Sequence, residues 1–153
     1  MKIDYASSAM DAQDFAELFE NSPKMPGQQA QKYNRLMIQG LAENGVSVRA
    51  VTARPVTSAN CVAKFLSAKD IKHGKVKYHY CSVPNVKGIK ILWQTVSSFV
   101  TVLFGGCDAV VVDVLNASVA YGAVMAASLR KKQRIGIVTD LPELMVTGTE
   151  IGR

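Results

Sequence analysis

Residues 108–139 have the sequence DAVVVDVLNASVAYGAVMAASLRKKQRIGIVT, and this stretch decides the fold class. Residues 108–114 are almost all apolar, which is typical of a strand that is buried on both faces of a sheet. An alanine-rich run follows, and Asn116 or Ser118 can cap the helix that this run predicts. Residues 134–139 then return to a strand pattern. A strand, a helix and a second strand in this order predict two parallel strands joined by a helical crossover.

The rest of the chain repeats this alternation. Strand patterns cover residues 2–9, 46–53 and 76–83, and helical patterns cover residues 11–20, 28–43 and 89–104. Gly45 follows the second helical pattern, where a glycine C-cap is expected. Strands that alternate with helices predict an α/β domain with a mostly parallel sheet of about five strands and helices on both faces.

Two of the predicted helices have clear apolar faces. The helix over residues 28–43 places Ala30, Tyr33, Met37 and Leu41 on one side. The helix over residues 89–104 repeats apolar residues at helical spacing, and we interpret this face as part of the core. The alternative is a helix that lies in a membrane interface, since the run is too short and mixed to span a bilayer.

Composition excludes several classes of protein. The chain has 153 residues, of which 48% are hydrophobic and 20% are charged, so it is neither a disordered tail nor a collagen-like repeat. The three cysteines Cys61, Cys81 and Cys107 are scattered and form no Cys-x-x-Cys pair, which indicates a reducing compartment. Because the N-terminus has no apolar leader, we expect a cytoplasmic protein.

The net charge of +6 is concentrated in one stretch. Residues 64–90 contain seven lysines and a single acid, so the rest of the chain is neutral. Residues 130–134 form a second basic cluster at the end of a predicted helix, where the helix dipole alone favours cations. Either cluster suits an anionic lipid or a phosphate ester, and either is equally well explained as a solvated loop. No RNA- or DNA-binding motif surrounds these residues, so we expect no nucleic-acid partner.

Several common sites are absent from the sequence. No GxxxxGK[ST] phosphate loop and no GxGxxG dinucleotide motif occurs. No HExxH motif or paired-cysteine spacing is present either, so we predict no metal site and no resident cofactor. His73 and His79 lie in the lysine-rich stretch, and we interpret both as surface residues.

The topology predicts where a ligand binds. In open parallel sheets, ligands bind beyond the carboxyl ends of the strands. The loops concerned here are residues 7–28, 53–57, 115–118 and 139–143. Within them, Gly27 permits close approach of a ligand, and the helix that follows presents free N–H groups to a phosphate or a sugar hydroxyl. Gln28 adds a donor and an acceptor. The alternative is an ordinary junction between a loop and a helix.

Two long segments resemble a known family. Residues 26–56, PGQQAQKYNRLMIQGLAENGVSVRAVTARPV, and the stretch from residue 108 to VTDLP at 138–142 resemble the N-terminal half of bacterial family 4 glycosyltransferases. The resemblance implies a Rossmann-like three-layer α/β/α sandwich that forms one half of a GT-B fold. It also implies a retaining enzyme that transfers a sugar from a nucleotide-diphosphate sugar to a glycan or lipid-linked acceptor in cell-envelope polysaccharide synthesis.

The resemblance implies a set of substrate-binding residues at the cleft between the two halves. These residues are Gly27, Gln28, Arg54, Asn116, Thr139 and Asp140. Many members have a His-Asp pair where this chain has Thr139 and Asp140, so a histidine at the reaction centre is missing here. No catalytic residue is predicted.

The same resemblance implies how the chain is organised. We expect residues 1–153 to form a single N-terminal domain that is cut short and lacks the C-terminal donor-binding domain, so that the polypeptide alone is inactive. Its expected partners are that missing domain, a sugar or lipid-linked acceptor and, peripherally, the anionic inner face of the cell membrane. The alternative is a non-catalytic α/β module that docks on an anionic membrane or on a protein partner.

Overall fold

The computed structural model describes residues 1–138, without the side chains of residues 28–30. Strands and helices alternate along the chain as predicted. In order, the elements are β1 (Lys2–Ser7), α1 (Ala12–Phe19), α2 (Gln28–Glu43), β2 (Ser47–Thr52), β3 (Phe65–Leu66), β4 (Lys69–His73), β5 (Val76–Tyr80), β6 (Val83–Pro84), α3 (Ile89–Leu103), β7 (Ala109–Asp113), α4 (Ala117–Leu129) and β8 (Gln133–Ile137).

The main sheet has six strands in the order β4-β5-β2-β1-β7-β8. All neighbouring strands are parallel except β4, which runs antiparallel to β5. β1 lies at the centre, where Ile3 pairs with Val48 of β2 and with Ala109 of β7. The predicted α/β class and mostly parallel sheet are confirmed, with a three-layer, Rossmann-like arrangement.

Alternate residues of the central strands β1, β2 and β7 enter two separate cores. Ile3 and Tyr5 of β1 pack with α1 and α2 on one face, whereas Ala6 and Val110 pack with α4 on the other. All five residues of β7 are buried, as expected for a strand covered on both faces. This packing places the ends of β1, β2 and β7 side by side at the carboxyl edge of the sheet.

The helix α2 has the predicted length, but its buried face only partly matches the predicted one. Met37 and Leu41 pack against the core as predicted, whereas Tyr33 is 42% exposed. The side chains buried at helical spacing are Gln31, Asn34, Ile38 and Ala42. Gln31 and Asn34 can be buried because both form hydrogen bonds with residues beneath α2. Gly45 ends the helix with φ of +82°, which confirms the predicted cap.

The helix α3 departs most clearly from its prediction. Its apolar residues Leu92, Trp93 and Val96 are exposed, whereas Phe99 and Leu103 pack against the core, so the interpretation of this face as core holds only near the C-terminal end of the helix. Instead α3 buries the polar residues Gln94 and Ser98 against α4. No helix among residues 1–138 is long and apolar enough to cross a membrane.

The close packing of α3 and α4 depends on Gly122. A Cβ at this position would overlap the carbonyl oxygen of Thr95 and Ser98 Oγ, and would lie 3.0 Å from Phe99 N. The single hydroxyl hydrogen of Ser98 is shared between the carbonyl oxygens of Thr95 and Val119, which lie 3.0 and 3.1 Å from Oγ. The bare Cα therefore lets two helix backbones approach closely enough for these hydrogen bonds to form.

A buried ion pair joins β1 to β2. Arg49 donates from Nε and Nη2 to the two carboxylate oxygens of Asp4, at 2.8 and 2.6 Å. Arg49 Nη2 also donates to the carbonyl oxygen of Thr101, at 3.0 Å. The pair raises the pKa of Arg49 despite the opposing effect of burial, which is the largest single influence. Gly105 makes room for it, since a Cβ there would overlap the guanidinium group.

The lysine-rich stretch contains strands that the sequence pattern does not predict. β4 forms the edge of the main sheet, and β3 pairs with β6 in a separate two-stranded ladder. Every residue of β4 is exposed or only partly buried. An edge strand of this kind has no apolar alternation from which it could be recognised.

Candidate ligand site at the carboxyl edge

The loop that follows β1 is fixed to the neighbouring strand. Ala9 N donates to Ser7 Oγ at 3.0 Å, and Thr52 Oγ1, at the end of β2, donates to the carbonyl oxygen of Ala9 at 2.7 Å. Ala9 and Met10 are buried. This part of the predicted loop therefore has a defined position at the carboxyl edge of the sheet.

Gln31 joins the same loop to α2. Its Oε1 accepts a hydrogen bond from Met10 N at 3.0 Å, and its Nε2 donates to the carbonyl oxygen of Ser8 at 2.6 Å. Gln31 thus satisfies two backbone groups that no strand partner can reach. Its position fixes the first turns of α2 relative to the end of β1.

A buried network of side chains connects α2 with β1 and β7. Tyr5 OH donates to Asn34 Oδ1 at 2.7 Å, and Asn34 Nδ2 donates to Asp113 Oδ2 at 2.8 Å. Asn116 Nδ2 donates to the same oxygen of Asp113 at 2.6 Å, and Leu115 N donates to the other at 3.1 Å. The Asp113 carboxyl group, which is fully buried, therefore organises the turn between β7 and α4.

The hydrogen bond from Tyr5 to Asn34 requires a protonated phenol. Burial, and then the neighbouring Asp113, raise the pKa of Tyr5 well above its ordinary value. The phenol therefore stays protonated at neutral pH and continues to donate to Asn34. Asn116, one of the predicted substrate-binding residues, is the outermost member of this network and is only partly buried.

Gly27 lies in the open at the start of α2. Its φ of −56° is accessible to any residue, and a Cβ on it would meet no described atom within 4 Å. Neither backbone conformation nor packing within residues 1–138 therefore requires a glycine here. Free space in front of a helix N-terminus is what a closely approaching ligand needs. The side chain of Gln28, and both Thr139 and Asp140, lie outside the described part of the chain.

Arg54 is buried on the other side of the loop after β1. Its Nη2 donates to the carbonyl oxygens of Ser67 and Cys81, at 2.5 and 3.0 Å, while Nε has no partner among the described residues. Burial lowers the pKa of its guanidinium group. The side chain lies 6.0 Å from the ring centre of Tyr80 and lines a cavity of about 230 Å³ with Asp14.

The predicted residues are thus not all brought together. Arg54 follows β2 and contacts the β5 side, whereas Asn116 follows β7, and β1 lies between these two strands. With strands about 4.8 Å apart, their ends are separated by roughly 10 Å. Asn116 and the start of α2 form one group through Asn34, and Arg54 belongs to a neighbouring cavity.

The residues that build this site are not among those predicted from the sequence. Tyr5, Gln31, Asn34 and Asp113 are all buried polar side chains at the carboxyl edge. Two signals could have indicated them: the aspartate that ends the apolar run of β7, and the helical spacing of Gln31 and Asn34. Both signals are common in proteins, and neither shows which residues form hydrogen bonds with each other.

No protein-family model, no curated protein and no solved structure matches this chain. The resemblance to family 4 glycosyltransferases therefore stays a prediction. The candidate function rests on the sequence pattern and on the geometry of the carboxyl edge.

Proposed function

We propose that this chain is the acceptor-side domain of a retaining glycosyltransferase, which transfers a sugar from a nucleotide-sugar donor to a glycan or lipid-linked acceptor in cell-envelope polysaccharide synthesis. One observation carries the proposal: the open start of α2 at Gly27, at the carboxyl edge of a mostly parallel sheet. In open α/β sheets this is the edge at which ligands bind. The resemblance of residues 26–56 to the family supports the same position.

The start of α2 has the chemistry that this role requires. The first N–H groups of α2 have no partner within the helix, and together with the helix dipole they favour a phosphate or sugar hydroxyls. The Asn34–Asp113 hydrogen bond holds α2 against β7, so these donors keep a fixed position relative to the sheet. Such a domain contributes to transfer by orienting the acceptor and by stabilising charge on the departing diphosphate.

Two substitutions test this role in the natural polypeptide that contains the chain. Gly27→Val and Gln28→Ala are each expected to lower kcat/KM for sugar transfer by about 10- to 100-fold, because a small misplacement at a reaction centre costs roughly that much. Gly27→Val is expected to lower the melting temperature only slightly, since a Cβ there meets no described atom within 4 Å although valine is a poorer N-cap than glycine. Initial rates with a panel of nucleotide-sugar donors, and calorimetric melting, measure both effects.

The matched control is Gly40→Ala, which adds a methyl group to the same helix far from its start and also meets no described atom within 4 Å. Its transfer rate is expected to equal that of the unmodified enzyme. Normal turnover in both the Gly27→Val and Gln28→Ala proteins would contradict the proposal, as would the absence of any nucleotide-sugar-dependent transfer.

A second candidate function, a non-catalytic module that docks on an anionic membrane, is favoured by the outer surface of α3 and α4. The exposed apolar side chains of these helices are Ile89, Ile91, Leu92, Trp93, Val96 and Val100 on α3, and Tyr121, Met125 and Leu129 on α4. The exposed basic residues Arg130 and Lys131 follow α4 directly. Apolar residues beside cations suit the interface of an anionic bilayer.

Vesicle sedimentation tests the docking function. If it is correct, the 153-residue chain will sediment with anionic vesicles at low salt, and binding will weaken as salt screens the cations. Leu92→Glu is expected to reduce binding at least tenfold, because it places a charge in the apolar surface. Val62→Glu is the control, since Val62 is an exposed apolar residue outside α3 and α4. Equal binding by the two variants, or binding to neutral vesicles alone, would exclude this function.

A further inference from the structure

Three side chains that can bind a metal ion meet on one side of the sheet. Asp11 is the N-cap of α1, Asp14 lies in the first turn of that helix, and His73 is the last residue of β4. One oxygen or nitrogen atom from each of the three lies within 4.8 Å of the other two. They come from segments about 60 residues apart in sequence, so the fold and not the local sequence brings them together.

The distances fit a single small cation. His73 Nε2 lies 3.3 Å from Asp14 Oδ2 and 3.8 Å from Asp11 Oδ1. Two ligand atoms of a tetrahedral zinc ion, each about 2.1 Å from the metal, are separated by roughly 3.4 Å. The three side chains therefore need only a small adjustment to reach coordination distance.

The imidazole nitrogen Nε2 of His73 faces the two carboxylates and forms no hydrogen bond with any described residue. His73 Nε2 is inaccessible to solvent and has no hydrogen-bond partner among the described residues, although 32% of the side chain is exposed. The ring packs edge-on against Tyr78, with centroids 6.1 Å apart, which fixes its orientation. A buried polar atom without a hydrogen bond is costly, so its direction towards two carboxylates calls for a ligand.

The carboxylates are held in place by neighbouring groups. Tyr80 OH donates to Asp14 Oδ2 at 2.5 Å and accepts a hydrogen bond from Asp11 N at 3.1 Å. Asp11 Oδ1 accepts from Gln13 N at 2.9 Å, as an N-cap does. Hydrogen bonds of this kind to ligand oxygens orient the ligands of metal sites.

The two carboxylates have no fixed cation paired with them, although Arg54 and Lys69 line the cavity beside Asp14. Over residues 1–138, no lysine or arginine nitrogen lies within 4.0 Å of either carboxylate, and His73 is the only ion-pair partner of both. Two carboxylates without a fixed cation favour the entry of a positive ion.

We propose that Asp11, Asp14 and His73 form a binding site for a divalent transition-metal ion of the zinc type. Two carboxylate oxygens and one imidazole nitrogen select such an ion over Mg²⁺ or Ca²⁺, which prefer oxygen ligands alone. Water completes the coordination. The ion fastens the first turn of α1 to the edge strand β4. This site does not depend on the proposed sugar transfer.

Calorimetric titration of the metal-free 153-residue chain with Zn²⁺ at pH 7.5 tests the proposal. One ion per chain is expected to bind, and His73→Asn and Asp14→Asn are each expected to weaken its affinity at least tenfold. His79→Asn is the matched control, because His79 is also on a strand and also contacts an aspartate, Asp70, but is not part of the cluster. Its zinc affinity is expected to equal that of the unmodified chain.

Thermal unfolding separates a metal site from a simple ion pair between a charged His73 and the two aspartates. Zinc at about 100 times its dissociation constant is expected to raise the melting temperature by about 5–10 °C, and His73→Asn is expected to abolish this rise. Asp11→Asn keeps the helix cap and provides a variant that folds without the carboxylate. The proposal is overturned if zinc binds the His73→Asn chain as tightly as the unmodified chain, or if zinc leaves the melting temperature unchanged.

Discussion

Gly122→Ala is expected to lower the free energy of unfolding by about 3 kcal/mol. The new methyl group would overlap the carbonyl oxygen of Thr95 and Ser98 Oγ, and the first of these belongs to the backbone of α3 and cannot rotate away. Overpacking of this kind typically costs about 1–3 kcal/mol and occasionally more. The two helices must move apart, and Ser98 then loses its hydrogen bond to the carbonyl oxygen of Val119.

The higher helix propensity of alanine raises the free energy of unfolding, but this gain is too small to offset the loss from overpacking. Replacing glycine by alanine in the middle of a helix is worth up to about 1 kcal/mol. Gly40→Ala shows this gain alone, because it lies inside α2 with free space around it, and it is expected to raise stability. Urea unfolding followed by circular dichroism measures both variants. If Gly122→Ala is as stable as Gly40→Ala, the close packing of α3 and α4 described above is incorrect.

Asp4→Ala is expected to lower the free energy of unfolding by a similar amount, about 3 kcal/mol. Removing one partner of a buried ion pair leaves an uncompensated charge, for which losses of about 3–5 kcal/mol are typical. We expect the lower end of this range because the Arg49 side chain is 23% exposed, against 3% for Asp4, so water can reach part of the guanidinium group. Arginine stays protonated in proteins because its intrinsic pKa lies above 12, so deprotonation of Arg49 does not avoid this cost.

Asp70→Ala is the control for this effect. Asp70 also pairs with basic residues, Lys77 at 3.7 Å and His79 at 2.8 Å, but the Asp70 side chain itself is more than half exposed. Exposed pairs contribute about 0–1 kcal/mol, so the loss is expected to be small. Urea midpoints of the two variants give the comparison. Equal losses at Asp4 and Asp70 would show that the burial of the first pair has no energetic consequence.

Most of the fold could be predicted because its central elements have strong patterns. β7 is buried on both faces and is therefore continuously apolar, and α1 buries Phe15 and Phe19 at helical spacing as its pattern predicts. β4 could not be predicted, because an exposed edge strand is under no pressure to alternate apolar and polar residues. Its sequence, KDIKH, has one apolar residue.

The error at α3 has a different physical cause. Periodicity shows that a helix has an apolar face, but it does not show whether that face lies against the sheet or against solvent. Here α3 contacts α4 at Gly122, and Ser98 and Gln94 of α3 form hydrogen bonds with α4. The small glycine and these hydrogen bonds therefore decide which side of α3 is buried. Leu92, Trp93 and Val96 of α3 are therefore left on the surface.

The candidate site was predictable only in part. Gly27 could be singled out because glycine before a helix has a known use. The network of Tyr5, Asn34 and Asp113 could not, because its hydrogen bonds join residues 29 and 79 positions apart. Long-range pairing of polar side chains leaves no trace in local periodicity. The same holds for His73, whose partners precede it by about 60 residues.

The position of β4 gives the basic stretch a use that requires no ligand. The outer edge of a sheet exposes unpaired N–H and C=O groups, on which another molecule can add a strand and begin to aggregate. Lys69 and Lys72 lie on this edge, and Lys75 and Lys77 follow close by. Positive charges that face each other repel two such edges before their backbones can pair. We therefore expect the lysines on this edge to hinder edge-to-edge pairing between copies of the protein.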